Sequence, residues 1–74
     1  MTHFYFRINI PYNSFQELYR TPNTVVKVRE ERGKMLQIPA LKFVPFFSQL
    51  GVRGRFELTL GENNKFVSLQ QVGQ

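Results

Sequence analysis

The sequence feature that most constrains the fold of this chain is the strict alternation of apolar and polar residues in its first ten positions. One side of this segment is apolar and carries Phe4, Phe6, Ile8 and Ile10. A period of two over eight residues is typical of a strand with one buried and one solvated face. Pro11 ends the strand because a proline cannot donate a hydrogen bond to a sheet. We therefore expect a sheet that lies against a core on one side only.

The same alternation recurs along the chain and predicts four more strands. The second and third strands form a hairpin, because Gly33 supplies the positive φ that the turn between them needs. In the last strand the pattern allows either Phe66 or the pair Val67 and Leu69 to face the core, and we favour the pair. The predicted strands are His3–Ile10, Thr24–Glu30, Lys34–Ile38, Val52–Leu60 and Lys65–Val72.

A short helix is predicted after the first strand. Ser14 and Glu17 have the spacing of a capping box, in which two side chains satisfy free N–H groups at the start of a helix. Phe15, Leu18 and Tyr19 then form one apolar stripe along the helix. The proline that follows ends the helix, because the residue before a proline avoids the α conformation.

A second helical region is predicted over Pro39–Leu50, interrupted by a proline. Three apolar residues in this region share helical spacing: Leu41, Val44 and Phe47. Pro45 would clash with a carbonyl of the preceding turn, so we expect one short turn up to Phe43 and a second helical segment from near Pro45. Gly51 is predicted to end that segment as a C-terminal cap.

The order of these elements, β-α-β-β-α-β-β, predicts an α+β fold with a mainly antiparallel sheet of about five strands and two short helices. The chain has 74 residues, which suits one hydrophobic core, so we expect residues 1–74 to form a single domain. Eight Phe and three Tyr supply that core, since burying one Phe contributes about 1.5–3 kcal/mol. The pattern is compatible with an open sheet and with a small barrel.

The residue inventory argues against an enzyme. His3 is the only histidine, and the chain contains no Asp and no Cys. It therefore offers no recognisable acid–base pair, nucleophile elbow or thiolate metal site, and we expect no catalytic residue, no metal and no cofactor. The lack of cysteine and of an apolar run of ~20 residues predicts a cytoplasmic protein without a membrane span.

Positive charge gives the first indication of a binding function. Ten Lys and Arg against five Glu give a net charge of +5, which would attract nucleic acid, an acidic protein or an anionic membrane surface. Arg53 and Arg55 lie two residues apart on one strand face, so both guanidinium groups suit neighbouring phosphates or carboxylates. If the strands form one continuous sheet, this polyanion-binding surface also includes Tyr5, Arg7, Lys27 and Arg29.

Single-stranded nucleic acid would suit such a surface, because cations follow the phosphates and an aromatic ring stacks on a base. An ordinary solvated sheet face, or a face covered by the helices, shows the same one-sided charge. The sequence leaves both interpretations open.

An aromatic cluster suggests protein binding as an alternative function. The cluster surrounds Pro45 and consists of Phe43, Phe46 and Phe47. Adjacent helical residues diverge by about 100°, so these three rings cannot all face one core from one short helix. An exposed ring, or a free sheet edge, would provide a docking patch for a protein partner or for a second copy of the chain. Alternatively, each ring covers a different part of a small core.

Several motifs extend over nearly the whole chain: His3–Phe6, Gln37–Ala40, Pro45–Phe46, Gly51–Phe56 and Lys65–Phe66. In these motifs the chain resembles a family of short bacterial proteins, domain of unknown function 2835. The pieces Pro39–Ala40 and Gly51–Phe56 are the most specific. The resemblance implies a freestanding gammaproteobacterial protein of the cytoplasm. It implies no activity, and it transfers no catalytic or binding residue to this chain.

Overall fold

The alternating segments form five antiparallel strands, which are divided between two sheets. The computed structural model describes residues 1–74. The elements are β1 (Thr2–Ile10), α1 (Tyr12–Arg20), β2 (Val25–Arg29), β3 (Met35–Pro39), a 3-10 segment (Ala40–Phe46), β4 (Val52–Leu60), a 3-10 turn (Glu62–Asn64) and β5 (Phe66–Gly73). No helix in the structure has the length and apolar character required to cross a membrane.

The two sheets differ in size. The larger one has the order β1-β4-β5, with antiparallel neighbours, and Phe6 of β1 lies opposite Phe56 of β4. The smaller one is the predicted hairpin of β2 and β3, whose turn contains Gly33 at φ +103°. The α+β class and the order of elements are confirmed, although the five strands do not form one continuous sheet.

The core consists of aromatic rings surrounded by aliphatic side chains from both sheets. Phe6 stacks on Phe56 with ring centroids 5.9 Å apart, and Phe43 meets both rings edge-on at 6.3 and 5.7 Å. All three side chains are fully buried, as is Phe15 of α1. The helix, the 3-10 segment and the larger sheet therefore converge on one group of rings, which the hairpin closes with its inward face.

Helix α1 begins two residues before the predicted cap. Its N-cap is Pro11, no side chain caps it, and the N–H of Phe15 donates to the Pro11 carbonyl at 3.0 Å. The predicted capping box is therefore wrong, because Ser14 lies inside the first turn and not before it. The restricted φ of proline, −59° here, leads the chain directly from the strand into the helix.

The region around Pro45 is a continuous 3-10 segment and not two helical pieces. A 3-10 helix has a period of three, so Ala40 and Phe43 are buried while Leu41 and Val44 are 65% and 41% exposed. The predicted stripe has the same spacing of three but takes the other face, so it is wrong for Leu41 and Val44. Phe47, which directly follows the segment, does pack on the core. An α-helix through this region would need an N–H at Pro45, and proline has none.

Gly51 does not cap a helix, because it closes a tight turn that leads into β4. The N–H of Ser48 donates to the Gly51 carbonyl at 3.0 Å, and the Gly51 N–H donates back at 2.9 Å. Gly51 has a φ of +90°, and a side chain there would collide with the carbonyl oxygen of Ile10. Glycine is needed because the turn lies directly on the junction between β1 and α1.

Strand β5 departs from simple alternation at a β-bulge. Phe66 lies opposite Leu60, whereas Leu69 lies opposite Leu58, so one residue between them is extra. As a result Phe66 and Leu69 both pack on the core, and Val67 is 44% exposed. The preference for Val67 is wrong, and the preference for Leu69 is confirmed.

Candidate functional site

The outward face of the larger sheet collects most of the residues that the sequence selected for binding. Strand β1 contributes His3, Tyr5, Arg7 and Asn9, which lie directly opposite Thr59, Glu57, Arg55 and Arg53 of β4. Arg7 thus faces Arg55 across the strand pair and lies diagonal to Arg53, at a distance of roughly 7–8 Å between backbones. Three arginines therefore meet on one face, as the alternation of β1 and β4 predicts.

At one end of this face, the guanidinium group of Arg55 is bound by side chains of the protein itself. Its Nε and Nη2 donate to the two carboxylate oxygens of Glu31 at 2.7 and 2.8 Å. The guanidinium carbon also lies 4.7 Å from the centre of the Tyr5 ring. A bidentate pair with a stacked ring holds the guanidinium in one orientation. Tyr5, expected as an exposed ring for a base, is therefore covered by an arginine of the chain itself.

Three more polar side chains lie at the same end of the face, next to Tyr5: Glu57, His3 and Thr59. The Tyr5 hydroxyl donates to the Glu57 carboxylate at 3.0 Å, and His3 Nδ1 lies 3.0 Å from Glu57 and from Thr59 Oγ1. In a catalytic triad the histidine uses one ring nitrogen for the carboxylate and the other for the hydroxyl. Here both contacts involve the same nitrogen, so the arrangement cannot relay a proton from the hydroxyl to the carboxylate.

These contacts change the acidity of three groups. The hydrogen bonds from Arg55 lower the pKa of Glu31 below its ordinary value of 4.5, and the charge of Arg7 adds to this effect. The same hydrogen bonds raise the pKa of Arg55. The hydrogen bond to Glu57 raises the pKa of Tyr5 above 10.0. Near neutral pH, Glu31 is therefore ionised and Tyr5 is protonated.

Glu31 reaches this face because the hairpin loop is held against the edge of β1. Its N–H donates to the Tyr5 carbonyl at 2.7 Å. The preceding residue, Glu30, is 3% exposed, and its carboxylate accepts the N–H of Lys34 at 2.7 Å. Glu30 and Glu31 look like solvated charges beside a turn in the sequence. In the structure, Glu30 holds the loop in place through its hydrogen bond with Lys34, and Glu31 is the partner of Arg55.

Two arginines of this face have no glutamate partner: Arg7, directly opposite Arg55, and Arg53, which lies further towards the end of β1. The carboxylates within 4.0 Å of a cationic side chain are Glu31, beside Arg55, and Glu57, beside His3. Arg7 donates to a main-chain oxygen of Gln74, the last residue of the sequence, at 2.9 Å, and Arg53 is exposed. We call Arg7 and Arg53 the open arginine pair. Both residues line a cavity of about 410 Å³, and Gln74 lines it with them.

The remaining predicted cations lie elsewhere. Lys27 and Arg29 belong to β2, in the other sheet, and Arg29 donates to the carbonyl of Gly33 at 2.9 Å. The inward faces of the two sheets meet at one core, so their outward faces point away from each other. The expected single surface required one continuous sheet. The structure brings together Tyr5, Arg7, Arg53 and Arg55, and it places Lys27 and Arg29 apart from them.

The three phenylalanines of the predicted interaction patch occupy three different places. Phe43 is fully buried, and Phe46 is half-buried with its ring edge-on to Phe56 at 5.1 Å. Phe47 is half-buried on the other side of the segment, where its ring stacks on Tyr12 at 4.9 Å. Each ring therefore covers a different part of the core, and only the last two reach the surface.

Sequence reasoning missed Glu31, the residue that separates the two ends of the face. It lies 24 residues before Arg55, in the turn of the hairpin, and no spacing rule connects them. The available signal was weak: two adjacent glutamates in a turn of a basic chain, beside a strand with a run of arginines.

One comparison with known proteins gives a match. A family model described as "Protein of unknown function (DUF2835)" matches residues 2–72. No curated protein and no solved structure matches the chain.

Proposed function

Since the chain belongs to the DUF2835 family, whose description assigns no activity, we propose its function from surface chemistry alone: it is a non-catalytic module that binds single-stranded nucleic acid by its phosphates. The observation that carries this proposal is the open arginine pair. Arg7 and Arg53 line one cavity, and neither has a glutamate carboxylate within 4.0 Å. The Arg53 guanidinium makes no hydrogen bond within the chain, and Arg7 uses one nitrogen on Gln74 and keeps the others for an anion.

Charge across the whole molecule supports the same proposal. Only one of the ten Lys and Arg residues, Arg55, forms an ion pair with a carboxylate. A surface with many unpaired cations attracts polyanions and releases their counterions on binding. Because Arg55 covers the ring of Tyr5, this part of the face would contact phosphates and would not stack on a base.

The direct test is fluorescence anisotropy with a labelled 12-nucleotide single strand over a series of salt concentrations. We expect binding at low salt that weakens linearly with the logarithm of salt concentration. Arg7→Gln and Arg53→Gln should each weaken binding and reduce that slope by about one. The matched control is Arg20→Gln, which removes one exposed charge at the end of α1 and should change the slope less.

Other results would contradict the proposal or favour a different function. Absence of binding at low salt would exclude the proposal, and equal effects of all three substitutions would show that only net charge matters. A Lys27→Gln variant tests whether the hairpin cations take part, and a duplex of the same length tests the preference for single strands. If no strand binds and the mass in solution rises with concentration, self-association through an aromatic patch or sheet edge becomes the better explanation.

A further inference from the structure

A second cavity lies next to the one lined by the open arginine pair. Its volume is about 460 Å³, and it shares Arg53, Gly54 and Gln74 with the first cavity. Its apolar wall is formed by Phe46 and Leu50. The two cavities therefore meet at one point of β4, and a ligand held by Arg53 in the first would extend naturally into the second.

The second cavity differs in chemistry from the first. Leu50 is 66% exposed at the tip of the turn before β4, and it contributes little to the core. The wall opposite is polar, because the Gln71 side chain lies across Gly54 and donates to the carbonyl oxygens of Arg53 and Gly73. An apolar wall beside a polar one suits a flat heterocycle with hydrogen-bonding edges.

Gly54 lines the second cavity at a point where β4 and β5 lie close together. It occupies an inward position of β4 between Arg53 and Arg55, where any other residue would place a side chain. A Cβ at this position would lie 2.5 Å from the Gln71 amide nitrogen and 2.6 Å from the Gly73 carbonyl. The end of β5 therefore approaches β4 closely here, and a residue without a side chain permits this approach.

We propose that the two cavities form one nucleotide subsite, with a backbone phosphate at Arg7 and Arg53 and the attached base against Phe46 and Leu50. The inference rests on the proposed function and adds to it a position where a base is bound. Each cavity has a volume within the range of roughly 300–1,000 Å³ that is usual for small-molecule sites. A base bound here must be unpaired, which gives a physical reason for a preference for single strands.

The test compares two probes: a labelled 12-nucleotide thymidine strand and a strand of equal length in which every nucleotide is abasic. Stacking on one base is worth about 1–3 kcal/mol, so we expect the strand with bases to bind about 5- to 160-fold more tightly. Leu50→Ser should reduce this preference and leave binding of the abasic strand unchanged. Leu41→Ser is the matched control, because Leu41 is 65% exposed and lines neither cavity.

Each outcome separates the subsite from the proposed function. If neither strand binds at low salt, the proposed function fails together with the subsite. If both strands bind equally well, or if Leu50→Ser behaves like Leu41→Ser, the phosphate-binding function stands and the base subsite is wrong. A Phe46→Leu variant, which keeps an apolar group against Phe56, should also lower the preference for bases. If thymidine monophosphate binds as tightly as the strand, the site takes free nucleotides, and the assignment to a strand is overturned.

Discussion

Both ends of the outward face carry an arginine, but the arginine at one end is bound to a glutamate and the arginine at the other end is not. Arg53 and Arg55 lie two residues apart on β4 and project to the same side. Arg55 is held by Glu31 and Tyr5, whereas Arg53 has no acidic partner and lines two cavities. The difference comes from the hairpin loop, which reaches one end of the face and not the other. Position relative to that loop decides which arginine supports the fold and which is available to a ligand.

The paired end also has a structural task. Where the hairpin loop meets the larger sheet, the Glu31 N–H donates to the Tyr5 carbonyl and the Glu31 carboxylate binds Arg55. These contacts attach the hairpin to the edge of β1, and the hairpin covers the core with its inward valines. The open end makes no comparable contact with another sheet. We therefore expect changes at the paired end to affect stability first and changes at the open end to affect binding first.

The largest expected effect comes from Gly54, which lies between the two arginines. Gly54→Ala should destabilise the protein by about 2–5 kcal/mol, because the residue has a φ of +135° and the new methyl group would meet Gln71 and Gly73. A domain of this length is expected to have only about 4–11 kcal/mol of stability. Urea denaturation followed by circular dichroism would measure the loss.

Gly33→Ala is the matched control for this substitution. Gly33 also has a positive φ, +103°, but nothing lies within 4 Å of the added carbon. Gly33→Ala should therefore lower the free energy of unfolding only by the backbone strain, about 1–2 kcal/mol. Equal losses at the two glycines would show that close packing of β5 on β4 does not matter.

The faces of the strands could be predicted from the sequence because alternation has a direct physical cause. Phe4 and Phe6 face inward and Arg53 and Arg55 face outward as their period of two requires. Prediction failed where the local period changes. The bulge that exposes Val67 cannot be recognised from a pattern that assumes an ideal strand. In the same way, the 3-10 segment cannot be recognised from a pattern that assumes an α-helix.

The candidate site could be predicted only in part, for a different reason. The alternation of one strand places two arginines side by side, but it does not say which of them will meet an acid. That depends on how the hairpin docks on β1, because this tertiary contact brings Glu31 to Arg55, 24 residues further along the chain. The division of the strands into two sheets, which separates Lys27 and Arg29 from the other cations, has the same origin.

Removing the acidic partner of Arg55 should make this arginine available to a ligand, as Arg53 already is. Glu31→Gln removes the carboxylate that holds Arg55, so a bound strand gains one more cation. We expect the slope of binding against salt to increase by about one, and the affinity at low salt to rise about threefold. Glu17→Gln removes the same charge from α1 and serves as the control. If both variants bind equally well, Arg55 does not reach the ligand.

The pH dependence of stability offers a smaller test of the paired end. The pKa of Glu31 is lower in the folded protein than its ordinary value of 4.5, so its ion pair stabilises the fold above that value. This contribution is lost as the pH falls through the lowered pKa. Wild type should therefore be slightly more stable than Glu31→Gln at pH 7, and the difference should shrink below about pH 4.5 in thermal melts. A difference that stays constant down to pH 2 would contradict the ion pair.

The smallest expected effect concerns the Tyr5 hydroxyl. Tyr5→Phe keeps the ring under Arg55 and removes only the hydrogen bond to Glu57, so the loss of stability at neutral pH should be small. The hydrogen bond raises the pKa of Tyr5 above 10.0, so its contribution is complete below pH 10 and is lost as the pH rises through the raised value. Tyr12→Phe is the control, since Tyr12 stacks on Phe47 by its ring alone. Melts at pH 7 and above pH 10 should show a difference between wild type and Tyr5→Phe that narrows, while Tyr12→Phe shows no such change. If strand binding is unaltered in Tyr5→Phe and the salt slope is the same, the Tyr5 hydroxyl acts at the paired end alone and takes no part in binding at the open arginine pair.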